Sequence, residues 1–169
     1  MQMLNRYFTP FALILILSAI YFGEPEPRDY KLSLAILGAS ILVNWWLSAN
    51  TYRFIRWSRQ MRALQVWLNF IWSVPLFYLL QPFWGPMWLL FVMAPVTAAL
   101  YMERWPTLGV ACVSAGTMLA IYWKRGVFAA GPMAGMVVVH ACFIVIFALF
   151  VHALAQTALR LRDAGLAAR

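Results

Sequence analysis

From Gly131 to Arg162 the chain reads GPMAGMVVVHACFIVIFALFVHALAQTALRLR. Pro132 follows a glycine and suits the first position of a helix, where its missing N–H costs nothing. Met133 to Leu154 carries no charged residue. At ~1.5 Å per residue that run matches a bilayer hydrocarbon core of ~30 Å. Good helix formers follow, Ala155, Gln156, Ala158 and Leu159, and lead into Arg160 and Arg162. The expected element is a helix that crosses a membrane and leaves it as a short basic stalk. Gln156, Arg160 and Arg162 lie on that stalk, and the same helix holds both histidines, His140 and His152.

The rest of the chain has the same character. Of its 169 residues, 64% are hydrophobic, 17% aromatic and 11% charged. A soluble domain has roughly 25% charged residues, so this little charge cannot cover a water-facing surface. The net charge of +8 does not point to nucleic acid, because the basic residues sit between apolar runs, as in cytoplasmic membrane loops. Cys112 and Cys142 fall inside apolar runs and read as small hydrophobes, with neither a disulfide framework nor metal spacing. Apolar residues from Phe8 to Phe22 lead into Glu24-Pro25-Glu26-Pro27 with no small-residue cleavage site. The expectation is a retained first span, not a signal peptide.

Six spans are expected: Thr9 to Phe22, Leu32 to Ala49, Ala63 to Leu80, Gly85 to Met102, Pro106 to Trp123 and Met133 to Thr157. The fold class is all-α, a polytopic six-helix membrane bundle over residues 1–157, with a basic cytoplasmic tail over 158–169. One side collects Arg6, Arg53, Arg56, Arg59, Arg62, Arg104, Arg160, Arg162 and Arg169; the other collects Arg28, Lys31, Lys124 and Arg125. Nine basic residues against four place both termini in the cytoplasm. Arg53, Arg56, Arg59 and Arg62 recur every three residues among Tyr52, Phe54, Ile55 and Trp57. That pattern reads as a topology signal, an interfacial helix on anionic lipid, or a surface for a cytoplasmic partner.

Polar residues inside spans tend to face other helices, because an unpartnered amide in hydrocarbon costs several kcal/mol, roughly 4–8 on a cyclohexane scale. Ser33, Ser40, Asn44 and Ser48 share one face of the second span; Gln65, Asn69 and Ser73 share one face of the third. Antiparallel spans bring Asn44 and Asn69 to similar depth. A hydrogen bond between them, worth about 1 kcal/mol, or a polar ligand pocket is expected there. Gly109, Ala111, Ala115, Gly116 and Ala120, with Gly131 and Gly135, suggest close packing of the last two helices, or a dimer face. Pro75 and Pro95 lie mid-span and should kink their helices.

His140 falls near mid-depth, where it can bond another helix or serve a ligand or a proton. The two histidines are twelve residues apart on one helix, ~18 Å, too far to share one haem iron. No metal site or cofactor is expected. The spans hold no Asp, Glu, Lys or Arg, which counts against ion-coupled transport. There is no nucleophile–base pair, no HExxH and no phosphate loop, so no enzymatic activity is expected.

The order of features from Leu64 to Trp123 resembles the membrane sensor region of six-span bacterial sensor histidine kinases, including the quinone-responsive type. The shared features are the arginines Arg53 to Arg62, the outer turn Pro82-Phe83-Trp84-Gly85-Pro86 and an apolar helix Leu89 to Ala99 with Pro95. Arg104 and a small-residue helix Gly109 to Ala120 follow. Arg160-Leu161-Arg162 resembles the juxtamembrane helix that feeds a kinase dimerisation domain. Gln81-Pro82-Phe83-Trp84-Gly85 replaces the Gly-Gly and Asn/Ser-Pro-Phe turn of quinone-responsive members, and no kinase precedes Arg169. The resemblance implies a bacterial inner-membrane, non-enzymatic signal-input or regulatory module. It would act on a protein partner in the membrane or cytoplasm, with the outer turn Gln81, Phe83 and Trp84 and a small hydrophobic ligand as input candidates. The other expectations are a substrate-binding membrane subunit of the energy-coupling-factor type, and an accessory or scaffolding subunit of a larger complex.

Overall fold

The computed structural model describes residues 2–50 and 58–167. Among them the chain is helical, with no strand. The helices are α1 (Gln2–Gly23), α2 (Pro27–Asn50), α3 (Ser58–Leu80), α4 (Leu90–Tyr101), α5 (Arg104–Lys124) and α6 (Pro132–Ala167). Tight 3₁₀ turns at Gly85–Leu89 and Val127–Ala130 precede α4 and α6.

All six expected spans fall on helices, with several shifts. The first helix starts upstream, at Gln2, so Pro10 lies inside it. The fourth does not begin as an α-helix: Pro86, near its start, sits in a 3₁₀ turn that hands over at Leu90. The sixth continues unbroken past the membrane-length run to Ala167, in keeping with the expected helical stalk. Among the described residues, four helices are long and apolar enough to cross a membrane: Pro27–Leu47, Ala63–Leu80, Arg104–Lys124 and Met133–Asp163. Thr9–Gly23 and Gly85–Tyr101 are shorter apolar helices. Only 17% to 39% of each long window is buried within the protein. Exposed Ile14, Leu42, Trp45, Val139 and Ile146 cover the outside. Such apolar surfaces are a liability in water and fit a hydrocarbon solvent, as in a membrane protein.

The helix ends follow local chemistry. Glu24 closes α1 in the left-handed region (φ 45°), and Pro25 cannot continue the helix. Pro27 opens α2, and Tyr30 N donates to Glu26 O at 3.0 Å. Asp29 in that first turn complements the helix dipole. Gly126, at φ 72°, ends α5 where a side chain would be strained.

The chain divides into two compact units, Met1–Met93 and Ala94–Arg169. In the first, α1, α2 and α3 pack together and the first 3₁₀ turn packs on α1 and α3. Its core holds Ile16, Val66, Leu76, Phe77, Leu80 and Met87, and Phe77 meets Phe91 edge-on at 5.0 Å. In the second unit α5 and α6 pack along one another. The buried face of α5 is Thr107, Val110, Ala111, Ser114, Ala115, Met118 and Tyr122. That of α6 is Val137, Ala141, Ile144, Ala148 and His152. The expected close packing of the last two helices through small residues is made by alanines and not by glycines. Ala111 and Ala115 are buried, but Gly109, Gly116 and Gly135 are exposed, and a Cβ at any of the three would meet nothing within 4 Å.

Candidate functional site

The first unit contains a cavity of about 60 Å³ among α1, α2, α3 and the start of α4. Thr9 comes from α1, Ser40 and Asn44 from α2, and Gln65, Asn69, Trp72 and Ser73 from α3. The helical period explains the convergence. Ser40 and Asn44 are four residues apart, as are Gln65, Asn69 and Ser73, so each set lies on one helix face. Ile16, Leu37, Leu76 and Leu90 complete an apolar side. No charged side chain among the described residues lines it.

The polar groups differ in how far they are satisfied. Ser40 Oγ donates to Leu37 O at 2.7 Å. Ser73 Oγ lies 2.7 Å from Asn69 O and 3.2 Å from Leu90 O. Its single proton serves either carbonyl, and the second contact joins α3 to the start of α4. Asn44 Oδ1 and Trp72 Nε1 are buried with no hydrogen-bond partner. The expected Asn44–Asn69 bond is therefore not made through Asn44 Oδ1, although the two residues line the same cavity. Burying such groups unpaired costs about 1–3 kcal/mol each.

The structure thus brings Asn44, Gln65 and Asn69 to one place, while His140 lies on α6 in the other unit. Trp72 and Thr9 are cavity residues that sequence reasoning missed. Trp72 stands three residues after Asn69 and seven after Gln65, so the helical period could have placed it on the same face.

At the other end of the first unit, the turn from Gln81 to Trp84 is ordered by backbone bonds. Gln81 N donates to Phe77 O at 2.9 Å, and Phe83 N and Trp84 N both donate to Leu80 O at 3.1 Å. Trp84 stacks on Phe22 with ring centroids 5.5 Å apart. These two aromatics fasten the turn to the end of α1.

Arg53 and Arg56 of the expected basic surface lie outside the described residues. Arg59 and Arg62 fall in the first turns of α3, and their side chains lie outside the described set. Gln156, Arg160 and Arg162 are exposed on the last part of α6. In the second unit the histidine that sequence reasoning passed over has a defined bond: buried His152 places Nδ1 3.2 Å from Ala99 O. A carbonyl only accepts, so the proton sits on Nδ1. Ala99 is among the last four residues of α4, whose carbonyls lack helical partners, so His152 caps that end. Among the described residues, no three His, Cys, Asp or Glu side chains gather to hold a metal ion. No protein-family model, curated protein or solved structure matches the chain.

Proposed function

We propose that the chain is a non-enzymatic signal-input module of the bacterial inner membrane. It has six spans, both ends in the cytoplasm, and acts on a protein partner through the end of α6. The observation that carries this reading is the length of α6. Its 36 residues reach ~54 Å, against a hydrocarbon core of ~30 Å. About sixteen residues therefore extend beyond the hydrocarbon core as helix. On that projection Leu154, Ala158 and Leu161 recur at spacings of four and three and are exposed. That is the spacing of a helix–helix seam, flanked by Arg160 and Arg162. The resemblance to six-span sensor regions, which end in such a helix, supports the same reading. A transport subunit is the second reading, favoured by the uncharged cavity in the first unit.

The test is a register series. The chain is joined after Arg162 to the dimerisation and catalytic part of an unrelated histidine kinase, with zero to seven alanines inserted after Ala155. One insertion turns everything beyond by ~100°, and seven restore the phase to within ~20°. Autophosphorylation in membranes should drop with one inserted residue and return with seven. An output independent of the number inserted would remove the input-module reading and leave the transport or accessory-subunit reading in its place.

A further inference from the structure

We propose that the exposed face of α5 is a contact surface for phospholipid, with Trp105 and Trp123 seated at opposite interfaces of one bilayer. The two tryptophans stand 18 residues apart. That is about five full turns at ~3.6 residues per turn, so both lie on one line of the helix, about 27 Å apart. Trp105 is 77% exposed and Trp123 73%, more than any other tryptophan among the described residues. Each stands beside an exposed cation, Arg104 before the first and Lys124 after the second. Between them the same face shows Gly109, Cys112, Gly116 and Ala120, all exposed and uncharged.

The chemistry of the ends selects lipid. An indole is a broad apolar ring with one N–H donor, and it settles where hydrocarbon meets the headgroups. A guanidinium or ammonium beside it extends outward to the phosphates. Here the pair occurs twice, in mirrored order, at the two ends of one uncharged line. Both Cα–Cβ bonds point toward the helix N-terminus, so the Cβ atoms keep the spacing of the backbone. A separation of about 27 Å is close to a hydrocarbon core of ~30 Å. Tilt only shortens it, so α5 fits a core slightly thinner than the average. In the other unit α2 has the same character: exposed Tyr30 and Trp46 lie sixteen residues apart, about 24 Å, and Lys31 is the single charged residue between them. A protein partner is the weaker fit. Binding anchors cluster near the middle of a protein interface, whereas α5 carries its large side chains at the ends. This inference goes beyond the input-module reading and does not depend on what α6 acts on.

The test uses the full chain, labelled with fluorotryptophan, in phosphatidylcholine nanodiscs and read by fluorine NMR. Trp105→Phe and Trp123→Phe assign the two resonances, each by the loss of one signal, with folding checked by circular dichroism and size-exclusion chromatography. Spin-labelled phosphatidylcholine then carries a nitroxide either near the headgroup or near the end of the acyl chain. Both resonances should broaden roughly twofold or more in favour of the shallow label. Cys112 is exposed on the line between them. Tagged with a trifluoromethyl thiol reagent in the Cys142→Ala chain, it should broaden more with the deep label. Shallow tryptophans with a deep Cys112 establish a helix that crosses the bilayer between its two indoles. Preference of either tryptophan for the deep label would overturn the proposal. So would a shallow Cys112, which means a helix lying along the surface. Broadening of neither tryptophan by any lipid label would also overturn it, and would assign the face to protein, such as a second copy of the chain.

Discussion

His152 Nδ1 lies 3.2 Å from the carbonyl oxygen of Ala99, 53 residues away in sequence, and so joins α6 to the end of α4. Ala99 is buried, so this carbonyl is cut off from water. Replacing the imidazole with an apolar group leaves it without that donor. His152→Leu should therefore lower stability by about 1–2 kcal/mol, and His152→Gln, which keeps a donor, by less. Unfolding in sodium dodecyl sulfate, followed by circular dichroism, reads both. Equal stability of His152→Leu and the parent would show that the bond contributes nothing.

Gly23 is held against the turn that follows α3. A Cβ at that position would stand 2.8 Å from Phe83 Cβ and 3.1 Å from Phe83 O. Neither atom belongs to the flexible end of a side chain, so the α1 terminus or the turn must move. Gly23→Ala should cost about 1–3 kcal/mol, seen as a lower melting temperature. Phe83→Ala should not relieve the clash because its Cβ remains. Phe83→Gly should relieve part of it.

Much of this arrangement was legible from residues alone, for a simple reason. Apolar length and period-four polar faces are local properties, so the helix positions and the convergence of Asn44, Gln65 and Asn69 follow from them. What stayed hidden depends on partners distant in sequence. Nothing in the run from Val137 to Ala155 distinguishes His152, which caps a neighbouring helix, from His140. The packing of Gly23 on Phe83 joins segments 60 residues apart that share no pattern. The choice of Ala111 and Ala115 over Gly109 and Gly116 as the buried small residues of α5 depends on helix rotation, which composition does not set.

The segment from Gly85 to Tyr101 is too short for an ordinary helical span, yet it reaches nearly as far. Its five 3₁₀ residues and twelve α-helical residues rise about 10 Å and 18 Å, together about 28 Å. That nearly matches a hydrocarbon core of ~30 Å. Alkaline phosphatase fused after Gly85 should be active outside, and fused after Arg104 or Arg169 inactive inside. Activity after Arg104 would show that this segment does not cross. Activity after Arg169 would overturn the count of spans or the orientation.

Asn44 gives the last prediction, and its sign separates two accounts of the polar face. If the asparagines were helix glue, Asn44→Leu would weaken the bundle by about 1 kcal/mol. The structure instead buries Asn44 Oδ1 with no partner, at the cost of an unmade hydrogen bond, about 1–3 kcal/mol. Leucine is close in size, has no polar atom and extends the apolar lining formed by Leu37 and Ile41. Asn44→Leu should therefore leave stability unchanged or raise it by about 1 kcal/mol. The same unfolding assay in sodium dodecyl sulfate decides it. Asn69→Leu is the contrast. It removes a side chain from the same cavity without removing an unpartnered acceptor, so it should not stabilise. A loss of 1 kcal/mol or more in Asn44→Leu would mean that the amide oxygen has a partner in the membrane, and residues facing it on α1 and α3 would be the place to look.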